Sequence, residues 1–312
     1  MTTTQALPKV VVLTTGGTIS CTTDQNGALI PTVDGATLVA PVAERFAGNL
    51  NIEVRELTRL DSAAMTFADI DEIVAACHSA LKDPAVTGVV VTHGTDSMEE
   101  TAIALDTFHA DSRPIVLTGS QKPHDHPESD GFTNLFEAVM IASDTSARDI
   151  GVLIVFGHAV LPARGATKWH TTDELAFATN APEEPPRADL VPATPLADTR
   201  VDIIHAYPGA PRTLIDAALA AGAQGLVIEA MGSGNVGTEI GVALGDALDN
   251  GIPVVITTRV PRGDVSGTYG GAGGGATLAA KGAIGSTYFR AGQSRVLLAI
   301  AIASGVSPFT LF

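Results

Sequence analysis

Lys9-Val10-Val11-Val12-Leu13 runs directly into Thr14-Thr15-Gly16-Gly17-Thr18, and Gly88-Val89-Val90-Val91-Thr92 runs into His93-Gly94-Thr95-Asp96. Each begins as a short run rich in β-branched residues that does not alternate with polar ones. Strands buried on both faces of a parallel sheet read this way. Pro114–Leu117 and Gly151–Val155 repeat the pattern. Between the runs lie longer segments with helical spacing, Phe67–Leu81 and Met98–Phe108. The second opens after Ser97, with Glu100 three residues on, which is the sequence form of a capping box. Glu99 and Glu100 also suit the positive end of a helix dipole. Strands alternating with helices predict βαβ units and an α/β fold.

Working outward, the alternation breaks at Ala181–Arg200, which holds Pro182, Pro185, Pro186, Pro192 and Pro195 and has no apolar period. That composition predicts a linker. Beyond it, Val201–His205, Gly225–Ala230 and Pro253–Val260 read as strands, and Leu214–Ala221 and Val236–Asp249 as helices. Gly263–Gly275 carries seven glycines and reads as loop. Ser294–Ala303 is a further apolar segment. The expected architecture is therefore two α/β domains: a larger N-terminal, doubly wound, mostly parallel and flavodoxin-like sheet over 1–181, a linker at 182–200, and a smaller C-terminal α/β domain over 201–312.

Composition excludes several function classes. Over 312 residues, 18 Lys and Arg stand against 34 Asp and Glu, a formal net charge of −16. Nucleic acids and anionic membranes call for basic surface, so neither is an expected partner. Two cysteines, Cys21 and Cys77, make neither a disulfide scaffold nor a cysteine-built zinc site. His124-Asp125-His126 has no further His or Cys nearby and reads as a solvated loop, so no metal and no other cofactor is expected. No apolar stretch follows the first residues, and none is long enough to span a bilayer. These readings point to a soluble, cytoplasmic protein.

Ligands of open α/β sheets bind beyond the carboxyl ends of the strands. Here those ends carry Thr14–Thr18, His93–Asp96 and Thr118-Gly119-Ser120. Glycine lets backbone approach a ligand closely and present its N–H groups. A threonine hydroxyl becomes a useful nucleophile only with a base or a proton relay beside it. A lysine near a carboxylate is one such relay, and the chain has few lysines: Lys9, Lys82, Lys122, Lys168 and Lys281. Lys168, in Gly165-Ala166-Thr167-Lys168, follows the Gly151–Val155 strand and is a candidate for the same edge. His93 reads as a packing histidine rather than a base. Thr15 is open between a site hydroxyl and a purely backbone role.

Thr15-Gly16-Gly17-Thr18-Ile19 and Thr92-His93-Gly94-Thr95-Asp96-Ser97-Met98-Glu99-Glu100-Thr101 resemble the two signature segments of the bacterial-type L-asparaginase family. The resemblance extends through Ser62, Ser129–Leu135, Gly165–Thr171, Gly232–Asn235 and Arg259-Val260-Pro261, nearly the whole chain. It implies an amidohydrolase that converts L-asparagine to L-aspartate and ammonia through an acyl-enzyme. Thr18 is then the nucleophile, and Thr95, Asp96 and Lys168 form the second catalytic group, although which threonine attacks first stays open. Ser62, Thr95 and Asp96 would bind the substrate, with Asn235 supplied by a neighbouring subunit of a homotetramer built as a dimer of dimers.

The sequence also departs from the family pattern. No tyrosine occurs in Ile19–Thr37, where the family carries one on a mobile loop. Only Tyr207, Tyr269 and Tyr288 exist, with Tyr269 the candidate to replace it. The family's Ser-Gln pair is Ser62-Ala63, and no Asp or Glu follows Asp264, where the partner-subunit glutamate would stand. Two alternatives follow: a broader asparaginase/glutaminase, and a non-catalytic aspartate-binding homologue.

Overall fold

The computed structural model describes residues 7–183, 185–187 and 190–312. The chain divides into two compact units, the first ending at Thr179 and the second beginning at Asn180. Residues 1–6 of the expected N-terminal domain, and Glu184, Ala188 and Asp189 of the expected linker, lie outside the described residues.

In the N-terminal unit the chain runs β1 (Lys9–Gly16), β2 (Cys21–Thr23), β3 (Leu29–Pro31), α1 (Gly35–Arg45), β4 (Asn51–Leu60) and α2 (Phe67–Ala80). It continues through β5 (Val86–Thr92), α3 (Met98–Phe108), β6 (Ile115–Thr118), α4 (Gly131–Ser143) and β7 (Val152–Phe156) to β8 (Ala159–Pro162), β9 (Ala166–Lys168) and β10 (Phe177–Thr179). The main sheet has six strands in the order β4-β1-β5-β6-β7-β8. All neighbours are parallel except β7 and β8. Counting only the parallel strands, the order is second, first, third, fourth, fifth, the flavodoxin-like arrangement expected from the sequence.

The lack of alternation in the valine runs has its cause here. Val10 and Val12 of β1, with Val90, Val116, Leu153 and Val155, pack against Leu38, Val39 and Val42 of α1 and Leu135, Ala138 and Val139 of α4. Val11, Leu13, Val89 and Val91 point the other way and are also fully buried. Burying such a side chain contributes about 1.5–3 kcal/mol, so both faces hold the sheet in place.

β4 did not read as a strand, because it is the edge of the sheet and carries Glu53, Arg55, Glu56 and Arg59 among its apolar residues. These charges are used locally. Glu53 pairs with Lys9 of β1, and Glu56 accepts from Gly35 N at the start of α1 at 2.8 Å. Helices α1 and α4 and the two-stranded ribbons β2–β3 and β9–β10 were likewise not anticipated.

The C-terminal unit comprises β11 (Val201–His205), α5 (Thr213–Ala220), β12 (Gly225–Ala230), α6 (Thr238–Asp249), β13 (Val254–Thr258), α7 (Gly275–Ala280), β14 (Ile284–Gly285) and α8 (Ala291–Ser304). Its four strands are parallel in the order β11-β12-β13-β14. Ile204, Leu226, Ile228, Val254 and Ile256 form its core with Ile215 of α5 and Ile240 and Leu244 of α6. Among the described residues no helix is long and apolar enough to cross a membrane.

Candidate active site

The sheet order reverses between β1 and β5: the connection from β1 leads to one side, to β4, and the next crosses back to β5. The crevice at such a switch point is where doubly wound folds place ligands. Thr18 follows β1 and Thr95 follows β5, so the two Gly-Thr turns flank that crevice. Their approach is set by glycine. At Gly17, where φ is +78°, a Cβ would lie 2.5 Å from both Cα and N of Gly94. At Gly94 a Cβ would lie 2.4 Å from Ser62 Oγ. Backbone therefore rests on backbone, and any side chain there would push the turns apart.

Beyond the glycines, Thr18 opens a single 3-10 turn, Thr18–Ser20. Gly17 O accepts from Ser20 Oγ at 2.9 Å and from Cys21 Sγ at 3.3 Å, which fixes the turn. The Thr18 hydroxyl itself makes no hydrogen bond among the described residues. Thr15 points elsewhere: it is fully buried, its hydroxyl donates to Thr92 O at 2.9 Å, and it ties the two strand ends together.

On the β5 side, His93 is fully buried, with Nδ1 2.7 Å from Gly94 O and Nε2 2.9 Å from Thr101 Oγ1. A carbonyl only accepts, so Nδ1 carries the proton and Nε2 accepts from the threonine. Burial pushes the imidazole down to about 4 and keeps it neutral. It packs as the sequence suggested, holding the turn that presents Thr95.

Lys168 ends β9 and reaches Thr95 Oγ1 at 2.8 Å and Asp96 Oδ1 at 2.7 Å. Asp96 is 57% exposed, so this ion pair contributes little to stability, on the order of 1 kcal/mol or less. Its value is geometric: one ammonium spans a hydroxyl and a carboxylate. Ser62 opens a 3-10 turn after β4. Its Oγ accepts from Asp96 N at 3.2 Å, and its carbonyl accepts from Ser97 Oγ at 2.7 Å.

That last bond corrects the capping expectation. Ser97 makes no side-chain cap to α3. Its hydroxyl is committed to Ser62 instead, so it fastens the Ser62 turn to the Thr95 turn. Glu99 does stand in the first turn of α3, as the dipole favours, but it is half-buried and has a further use: Lys168 N donates to its Oε2 at 2.5 Å. Burial lifts its carboxyl to about 7.

Thr18, Ser62, Thr95, Asp96 and Lys168 all line one cavity of about 320 Å³, a size suited to a small amino acid. Cys21, Asp61, Gln121 and Thr171 line it too and were missed by sequence reasoning. Gln121 was within reach of that reasoning, since it follows Thr118-Gly119-Ser120 at a third strand end. Asn235 is not among the lining residues. It lies in the C-terminal unit, bridged to Met231, with Oδ1 3.4 Å from Gly275 N. Tyr269 is also in that unit and is 63% exposed. Asp125 of the His124-Asp125-His126 stretch accepts from Thr23 N at 2.9 Å, closing its loop on β2. Among the described residues no group of three or more His, Cys, Asp or Glu is placed to hold a metal ion.

Comparison with known proteins covers both units. Residues 9–195 match the family described as Asparaginase, N-terminal, and residues 200–311 match the Glutaminase/Asparaginase C-terminal domain. An L-asparaginase of Bacillus licheniformis is 31% identical over 311 residues, covering 95% of this chain and 96% of the relative. A probable L-asparaginase of Deinococcus radiodurans is 34% identical over 327 residues, covering 97% and 95%. The crystal structure of a probable cytoplasmic L-asparaginase from Campylobacter jejuni superposes with a TM-score of 0.84 at 24% identity, over 96% of each chain, and supports the fold.

Proposed function

The chain belongs to the bacterial-type asparaginase family and is an L-asparaginase, and from that premise we propose how its residues divide the work. The reaction hydrolyses L-asparagine to L-aspartate and ammonia. The Thr18 hydroxyl attacks the side-chain amide carbon, and the oxyanion that forms is held by backbone N–H groups of the two Gly-Thr turns. The C–N bond breaks, ammonia leaves with the proton taken from Thr18, and a β-aspartyl ester remains. Water activated at Thr95 then attacks the ester carbon. The C–O bond breaks, Thr18 regains its proton and aspartate is released. Thr95, Lys168 and Asp96 take up one proton of the water as it attacks and return it to the departing Thr18 oxygen, so the relay ends as it began. Ser62, Thr95 and Asp96 bind the substrate's α-substituents.

One observation carries this reading: Lys168 Nζ lies within 2.8 Å of Thr95 Oγ1 and 2.7 Å of Asp96 Oδ1, in the cavity that Thr18 also lines. Thr18→Ala and Thr95→Val are each expected to abolish ammonia release from asparagine. Near wild-type turnover in either variant would remove that residue from its role.

The same proposal places Asn235 in a neighbouring subunit's site, in a homotetramer of paired dimers. The resemblance of Gly232–Asn235 to the family supports it. Four copies by light scattering, and loss of activity on dilution to monomer, are the expected results. A linker at 182–200 between domains 1–181 and 201–312 is supported by the lack of helix or strand between Thr179 and Val201 among the described residues. A cytoplasmic location fits two buried, unpaired cysteines and is checked by cell fractionation. Broader action on glutamine is a second reading, favoured by Ala63 where the family carries glutamine.

A further inference from the structure

We infer that Glu99 is a positioning residue for Lys168: its side chain grips the lysine's main chain and so sets where the ammonium sits. The inference rests on the role proposed for Lys168. Three observations lead to it. First, Lys168 is not held by the main sheet. It lies on β9, whose one ladder partner among the described residues is β10, in a separate two-stranded ribbon. Second, the groups it must meet, Thr95 and Asp96, lie on the turn from β5 into α3, anchored by the sheet. Phe177 packs the ribbon on Phe156 of the main sheet, but that contact does not set the position of Lys168, so the split catalytic pair needs a tie of its own. Third, the tie is visible. Glu99, half-buried in the first turn of α3, turns its carboxylate to β9, where Lys168 N donates to Oε2 at 2.5 Å and the Thr167 side chain adds a second hydrogen bond. One short segment, Thr95–Glu99, therefore holds Lys168 at both ends, by its backbone and by its ammonium.

A helix-dipole role does not account for this arrangement. An exposed carboxylate serves the dipole equally well, whereas one partly withdrawn from water is costly unless hydrogen bonds offset its lost hydration. The partners that offset it here belong to Thr167 and Lys168.

Two conservative substitutions separate reach from charge. Glu99→Asp keeps the carboxylate but withdraws it by one methylene, so that it no longer reaches Lys168 N. Glu99→Gln keeps the length and one acceptor oxygen and removes the charge. With asparagine as substrate, Glu99→Asp is expected to lower kcat about tenfold or more, as a displacement near 1 Å does at a reacting centre, with KM changed less than about threefold. Glu99→Gln is expected to stay within about threefold of wild type in both constants. In a Lys168→Met background, Glu99→Asp is expected to add no further loss. If Glu99→Asp fails to fold, Thr167→Val, which removes only the second hydrogen bond, is expected to lower kcat with KM unchanged.

A Glu99→Asp enzyme with wild-type kcat would overturn the inference. So would a Glu99→Gln enzyme as slow as Glu99→Asp, which would assign the effect to charge. If Lys168→Met itself kept wild-type turnover, the relay reading would fail instead, and the two failures are distinguishable.

Discussion

Gly17→Ala tests whether the backbone contact between the two turns builds the site. Two costs arise. At φ +78° an L side chain is strained, by about 1–2 kcal/mol. The new methyl would also stand 2.5 Å from Cα and N of Gly94, both main-chain atoms that cannot swing aside. Overpacking of this kind costs about 1–3 kcal/mol. Gly48 supplies the control, because it has the same φ of +78° and open space where a Cβ would lie. Gly48→Ala therefore pays the strain alone, about 1–2 kcal/mol, and Gly17→Ala pays about 2–5 kcal/mol in all. The activity difference is larger. Parting the turns by 0.5–1 Å separates Thr18 from Thr95, and a misplacement of about 1 Å at reacting groups costs on the order of a hundredfold. Urea unfolding followed by circular dichroism gives the stabilities, and an ammonia-release assay gives kcat/KM. Should Gly17→Ala match Gly48→Ala in stability and keep kcat/KM within about threefold of wild type, the close contact is not what assembles the site.

Further expectations concern titration and selectivity. The Glu99 carboxyl sits at about 7 in the fold against 4.5 for a free glutamate, under burial offset in part by its bonds to Lys168 N and Thr167. A raised carboxyl pKa contributes stability that is complete below pH 4.5 and lost as pH rises through 7. The loss is up to about 3 kcal/mol. Wild type should therefore lose more stability than Glu99→Gln between pH 5.5 and 8 in urea titrations, and parallel curves would refute this. His93, pushed down to about 4, should show no imidazole titration by NMR between pH 5.5 and 8, and a midpoint near 6.5 would contradict its burial. Ser62→Ala removes the acceptor for Asp96 N and should raise KM for asparagine more than it lowers kcat, read from steady-state kinetics. With Ala63 in place of an amide, the ratio of kcat/KM for asparagine over glutamine should rise when Ala63→Gln restores it, and an unchanged ratio would discard that contact.

The sequence was most legible where burial is two-sided. Val10–Leu13 and Val89–Val91 had to be central strands, and the residues closing them had to reach the crevice. It was silent where structure depends on distant partners. Glu53 and Glu56 give β4 the look of a loop, and only Lys9 and Gly35, brought up by the fold, explain them as an edge strand. Ser97 matched a helix cap locally, yet the carbonyl of Ser62, thirty-five residues away, captured its hydroxyl. Glu99 read only as an acid suited to a helix start, because its partners at 167 and 168 are remote in sequence. Lys168 stood out among five lysines by its place after the Gly151–Val155 strand and by the family resemblance, and the β9–β10 ribbon supplied its geometry. Cys21 and Asp61 line the cavity without any motif that announces them.

The ribbon has a consequence for how the enzyme is lost to heat. β9 and β10 are three residues each and share three register pairs. Ladders this short open locally, with free energies below that of global unfolding, and here the opening is opposed by Phe177 packed on Phe156 and by the bond from Lys168 N to Glu99. Amide hydrogen exchange should therefore be faster at Lys168 and Thr179 than at Val11 or Val90. Each opening withdraws the ammonium from its threonine while the sheet stays intact, so activity should fade at temperatures where the far-ultraviolet spectrum is still native. A more durable catalyst would come from stitching this ribbon to its surroundings rather than from repacking the interior.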